Sequence, residues 1–327
     1  RELMREFLYF YQWEVIMPKV FFTYEQQLDK LEKDKGLVIN DREYAKSMLK
    51  AIGYYSLISG YKQPFKHLPS GKYKYGVTFD EIVSLYCFDE KIRSIFLKYI
   101  LHVERQMKSL VSYHFCEKYG ENQGKYLDSS NYNLNKKNQN DIYKMVGCLA
   151  KAISLPSHFE YIVHHSKKYS NVPLWVAMNA ITFGNLSKMY QYCTSDIRTK
   201  ISQNYKEVSE VELHQFIRVL SSCRNTCAHG ERLFTFRIKE AIPNTTIHNK
   251  IHIAKKNGMY IYGKQDLFAV VIALKYLIPN DEFLSFIQEL KKAIKEVLTK
   301  CQHISQDSLY DYMGFPNNWN KILRFRI

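Results

Sequence analysis

Glycine and proline are scarce in this chain, 13 and 8 of 327 residues, which is about half of the roughly 12% that the two contribute on average. So few turn formers exclude collagen-like and low-complexity architectures and argue against a turn-rich all-β fold, leaving long helices as the expectation. The seven cysteines are odd in number and scattered, with no Cys-x-x-Cys pair, which excludes a disulfide framework and a zinc ribbon. Such usage suits a reducing cytosol, so a cytoplasmic location is expected. Long apolar runs are missing too: the longest charge-free one, about Leu267 to Leu274, falls far short of the ~20 residues of a spanning helix. A membrane is therefore not an expected partner. There is no glycine-rich phosphate loop, no HExxH and no GxSxG, and His158, His164 and His165 lack an acidic or cysteine ligand to complete a metal set. Neither a metal nor a cofactor is expected.

What the chain does contain is positive charge and tyrosine. Lysine and arginine outnumber the acids 47 to 32, a net charge of +15, and only twelve of the cations are arginine. A field of that sign favours polyanions, nucleic acid first. The 26 tyrosines supply rings that can pack or stack on bases, which inclines the expectation toward RNA or single strands.

Length alone suggests about two domains. Residues 1–16 are aromatic (Phe7, Tyr9, Phe10, Tyr11, Trp13) but broken by Glu6, Gln12 and Glu14, and do not read as a signal peptide. Met17 offers an alternative start, so residues 1–18 are set apart as an extension. The spacing predicts helices over 23–35 and 41–52 in an N-terminal region, 19–130. The segment 60–76, with bases and aromatics between glycine and proline breakers, is expected to be a loop. Thr78 should cap a long helix from Phe79 to about Tyr119, stopped by Gly120. Within it, Glu104 and Lys108 have the i,i+4 spacing of a surface ion pair.

The asparagine-rich stretch 131–141 marks the boundary to a C-terminal region, 131–327, with helices predicted over 142–153, 156–167, 174–193 (interrupted at Phe183-Gly184), 209–228, 266–278 and 282–300. Residues 247–262 alternate around Asn257-Gly258 and predict a β-hairpin, the one clear strand signal in an otherwise all-α chain.

The sharpest constellation is Arg224-Asn225-Thr226-Cys227-Ala228-His229, with Gly230 placed to end the helix. Twelve arginines and eleven histidines would produce about one such spacing by chance, so its weight comes from context. An imidazole near neutral pKa can take or return a proton at an RNA 2′-hydroxyl or 5′-oxygen, and a guanidinium can hold the phosphate between them. Five helical positions leave the two side chains roughly 140° apart, so they converge only if the helix ends near the histidine. The alternative is structural: Arg224 in an ion pair and His229 finishing a helix. For RNA contact the candidates are Tyr61, Lys62, Lys66, Lys72, Tyr73, Lys74 and Tyr75 in the first loop, and Lys255 and Lys256 at the hairpin tip. Lys136-Lys137 and Lys167-Lys168 are weaker ones.

Read at length, Arg224 to Phe234 (RNTCAHGERLF) resembles the signature of the Abi family, bacterial abortive-infection proteins of the AbiD/AbiF type, which are similar to the HEPN ribonuclease superfamily. Phe22 to Leu28, Gly53-Tyr54-Tyr55, Gly60-Tyr61, Pro64-Phe65, Leu85 to Arg93, Val172 to Trp175, Thr182 to Ser187 and Met313 to Trp319 resemble further family segments in the right order. The resemblance implies an all-α, HEPN-like bundle and a metal-independent endoribonuclease toxin leaving 2′,3′-cyclic phosphate and 5′-hydroxyl ends. It carries Arg224 and His229 over as the catalytic pair and Asn225 as the polar residue that helps orient them. It also implies a structured noncoding RNA as partner. HEPN sites combine two such motifs, and no other arginine here has a histidine five to seven positions downstream, so a homodimer is expected. The competing readings are a noncatalytic RNA-binding component of a ribonucleoprotein and a helical scaffold.

Overall fold

The computed structural model describes residues 20–67 and 70–325, so the expected extension, 1–18, lies outside the described residues. The described residues divide into two compact units, those up to Ile82 and those from Val83 onward.

In the first unit, α1 (Tyr24–Asp29) starts at a reciprocal cap: the Thr23 hydroxyl accepts from Gln26 N–H, and the Gln26 amide accepts from Thr23 N–H at 2.9 Å. The Asp41 carboxylate caps α2 (Arg42–Ile52) by accepting from Tyr44 N–H at 2.9 Å. Arg42 ties the two helices through Asp29 at 2.9 Å and Glu25 at 3.2 Å. Leu28, Leu31, Leu49, Leu57, Phe65 and Val77 fill the interior. The 60–76 segment is irregular, as expected, yet folded on itself. A 3₁₀ turn at Gln63–Phe65 is followed by a bridge between Lys66 and Tyr73.

The second unit is helical almost throughout. Helix α3 (Phe79–Tyr119), whose first four residues belong to the first unit, begins with Thr78 and Glu81 exchanging cap bonds and stops at Gly120, where φ is +87°. It is followed by α4 (Gln123–Leu127), α5 (Gln139–Ile153), α6 (Glu160–Tyr169), α7 (Leu174–Ala177), α8 (Phe183–Tyr192), α9 (Ser195–Ser202) and α10 (Glu210–Ala228). Then come α11 (Thr246–Lys250), the strands β1 (Lys255–Lys256) and β2 (Met259–Tyr260), α12 (Leu267–Leu277), α13 (Asn280–Lys300) and α14 (Gln306–Met313). This is the expected all-α fold with one small hairpin.

Every residue of α12 is buried, and α10 packs against both α8 and α12. That places the helix carrying the Arg224 motif at the centre of the unit.

Several boundaries differ from the sequence reading. The hairpin shrinks to two residues per strand, paired Lys255 to Tyr260 and Lys256 to Met259. Ile247 and Ile251, read as strand alternation, are i and i+4 of a helical turn started by the Thr245–His248 cap. The 174–193 helix is broken at Ile181, where Thr182 restarts it by capping Asn185 N–H at 3.2 Å. The onset of α6 moves from residue 156 to Glu160 because 154–159 is irregular.

Candidate active site at the end of a buried helix

Helix α10 starts where Ser209 and Glu212 exchange bonds, Glu212 accepting from Ser209 N–H at 2.9 Å and the Ser209 hydroxyl from Glu212 N–H at 3.3 Å. Leu213, Phe216, Ile217, Leu220, Cys223 and Cys227 form its buried stripe. Burial and the neighbouring Cys227 thiol push the Cys223 thiol well above its usual range, so this cysteine is packing material and no nucleophile.

The helix ends as the sequence predicted. Ala228 is the last helical residue and His229 the cap, Gly230 takes φ +68°, Gly230 N–H donates to Cys227 C=O at 3.2 Å and Glu231 N–H to Thr226 C=O at 3.0 Å. Those two bonds are the Schellman pattern, which needs a left-handed residue at that position. The turn brings His229 and Asn225 to the surface while Arg224 stays half-buried, its side chain 30% exposed.

Helix α3 holds this end from below. Asp89, completely buried, accepts from Leu233 N–H at 3.0 Å and from Phe234 N–H at 2.6 Å. Arg93 pairs with Asp89 at 2.5 Å and also donates to Glu231 C=O at 3.4 Å. One buried carboxylate and one buried guanidinium thus anchor the backbone immediately after His229. Further along α3, Glu104 Oε1 pairs with Lys108 at 3.0 Å and Oε2 faces Arg224 Nε at 3.5 Å. The i,i+4 spacing predicts a surface pair of Glu104 and Lys108, but Glu104 is 5% exposed and lies against Arg224.

The motifs of the sequence do not single out Asp89, Arg93 or Glu104 as site residues. The signal was present, since Leu85, Asp89, Ile92, Phe96 and Ile100, Glu104, Met107, Val111 lie on buried helical rows, and an acid on such a row demands a partner. Among the described residues, no hydrogen bond or ion pair joins Arg224 to His229 within the chain.

The RNA-contact candidates divide by exposure. Tyr61 and Tyr73 are buried in the first unit, and burial raises the Tyr73 phenol well above its usual range. Lys66 lies over the Tyr73 ring at 5.3 Å and Lys74 donates to Pro64 C=O at 2.8 Å. Tyr75 is 98% exposed, Lys72 is exposed and Lys62 half-buried. At the hairpin, Lys255 lies over Tyr260 at 4.5 Å, and Lys255 and Lys256 are both exposed. Exposed members can meet a polyanion; the two buried rings are core.

No described helix is long and apolar enough to cross a membrane. No curated protein and no solved structure matches the chain. The family model for Abi-like proteins matches residues 47–235, a span that takes in Asp89, Arg93, Glu104 and the whole Arg224–His229 motif. Covering more than half of the 327 residues, that match shows that the chain belongs to the Abi-like protein family.

Proposed function

We propose that the protein is an endoribonuclease effector of abortive-infection defence, of the HEPN type and AbiD/AbiF kind, working as a homodimer with RNA as substrate. The observation that carries this reading is the end of α10: an exposed histidine at the cap and a half-exposed arginine in the last turns, at a helix terminus that buried side chains of α3 hold in place. Rigid support of that kind is what precise proton transfer requires.

In the proposed reaction the RNA 2′-oxygen attacks the adjacent phosphorus. His229 takes the 2′-hydroxyl proton, Arg224 stabilises the charge on the pentacoordinate phosphorus, and the P–O5′ bond breaks as a second imidazole returns a proton to the leaving oxygen. The products are a 2′,3′-cyclic phosphate and a 5′-hydroxyl. Asn225, exposed beside Arg224, helps orient the site. Since one chain carries a single such motif, the two imidazoles come from two copies meeting at this helix end. Lys72, Tyr75, Lys255 and Lys256 then add phosphate contacts and stacking, and a structured noncoding RNA is the proposed partner.

The test is cleavage of end-labelled RNA by purified protein, with product ends mapped and order in protein concentration measured. Arg224→Ala and His229→Ala should each lower the rate at least ~100-fold. Cleavage that survives in both variants overturns the assignment. RNA that copurifies uncut would favour the noncatalytic ribonucleoprotein reading, which the exposed cations of the hairpin tip also support.

A further inference from the structure

Arg224 is held from one side only. Its Nε is buried and lies 3.5 Å from Glu104 Oε2, yet 30% of its side chain is exposed. A guanidinium has one N–H on Nε and four on the two terminal nitrogens. With Nε facing inward, the accessible part of the side chain is its outer end, where those four donors sit.

Glu104 is suited to hold it. The residue is 5% exposed, its Oε1 is taken by Lys108 at 3.0 Å, and its Oε2 makes no hydrogen bond among the described residues. A buried carboxylate oxygen without a bond is costly, and the cation that faces it is Arg224. The cluster carries two positive charges and one negative. Its surplus of +1 sits where a phosphodiester, with charge −1, would complete it.

We propose that Glu104 is the positioning residue of the site: it fixes Arg224 by Nε and turns the terminal nitrogens outward for bidentate contact with the scissile phosphate, while Lys108 holds the other carboxylate oxygen. This rests on the ribonuclease reading above. In solution the 3.5 Å approach to Glu104 closes into a hydrogen bond in the free protein, so that the fork is set before a phosphate arrives. Lysine at 224 would lack both the Nε contact and the fork.

The decisive experiment reads the arginine directly. In protein labelled with ¹⁵N-arginine, the Arg224 Nε–H signal is assigned by its loss in Arg224→Lys. Its hydrogen exchange is then compared in wild type and Glu104→Gln. The expected result is a slowly exchanging signal in wild type that exchanges at least tenfold faster in Glu104→Gln, with the remaining dispersion of the spectrum unchanged. Should the glutamine variant not fold, Lys108→Met serves instead: it frees Oε1, so Nε–H exchange should slow further. An Arg224 signal indifferent to either change overturns the proposal.

In cleavage assays, Glu104→Gln should lower kcat roughly 10- to 100-fold with KM within about twofold. A parallel loss of RNA affinity would refute a positioning role. Wild-type protein that cuts no RNA would strike the ribonuclease reading alone, since the Nε–H signal reports the contact without any substrate.

Discussion

Replacing Asp89 by asparagine tests whether the anchor beneath the site is as strong as its geometry implies. The side chain is fully buried and receives donors from Leu233 N–H at 3.0 Å, Phe234 N–H at 2.6 Å and Arg93 at 2.5 Å. Asparagine has the same shape but one acceptor oxygen, and its NH₂ would have to face a donor. Hydrogen bonds to a charged group contribute about 1.5–3 kcal/mol each, and breaking a buried ion pair from one side costs about 3–5 kcal/mol because the partner charge is stranded. Arg93, 7% exposed, is that partner. The unfolding free energy of the second unit should therefore fall by about 3–5 kcal/mol, read as a lower urea midpoint at unchanged slope in circular dichroism. Adding Arg93→Met removes the stranded charge, and the double variant should recover part of the loss. A drop below about 1 kcal/mol for Asp89→Asn would refute the view that this carboxylate fixes the 231–234 backbone.

Two further outcomes are expected. His248 accepts from Thr245 N–H through Nδ1 at 3.0 Å, which leaves Nε2–H to donate to Gly263 C=O at 2.8 Å, and burial lowers its pKa to about 4. With the folded value below the unfolded one of ~6.5, its contribution is full above pH 6.5 and is lost as pH falls toward 4, by about 3 kcal/mol in all. His248→Gln should flatten that part of the stability profile, and parallel profiles would count against it. Gly314→Ala should be severe: φ is +73° and an added Cβ would lie 2.3 Å from Asp266 Cβ. Strain and overpacking together should cost more than ~3 kcal/mol in a thermal melt, and a change under 1 kcal/mol would show that the close approach relaxes freely.

The long elements were legible because several local signals agreed. For α3, apolar spacing, Thr78 at the start and Gly120 at the stop all named the same 41 residues. For α10, Ser209 and Gly230 bracketed the stripe in the same way. Short elements were not, because one turn of helix and one strand share too few residues to show a period: Ile247 and Ile251 fit both until Thr245 and His248 closed a cap. The residues of the proposed chemistry, Arg224, Asn225 and His229, are visible as a motif. Their supports are not, since Glu104 meets Arg224 and Asp89 meets Leu233 across more than 100 residues. Tyr61 and Tyr73 illustrate the same limit, rings among lysines that turn inward and pack.

The two anchors on α3 have a consequence for chain length. As the site runs forward from Arg224 to Leu233, its supports run backward from Glu104 to Asp89. Fifteen helical positions amount to about 22 Å and roughly 1500°, so the anchors stand within ~60° of each other on one side of the rod. A single residue inserted or deleted between them would swing one anchor by about 100° and detach it. Point substitutions facing solvent along this interval are tolerable, but its residue count is not adjustable. Loops elsewhere can grow or shrink, while this part of α3 behaves as a gauge block cut to a single length.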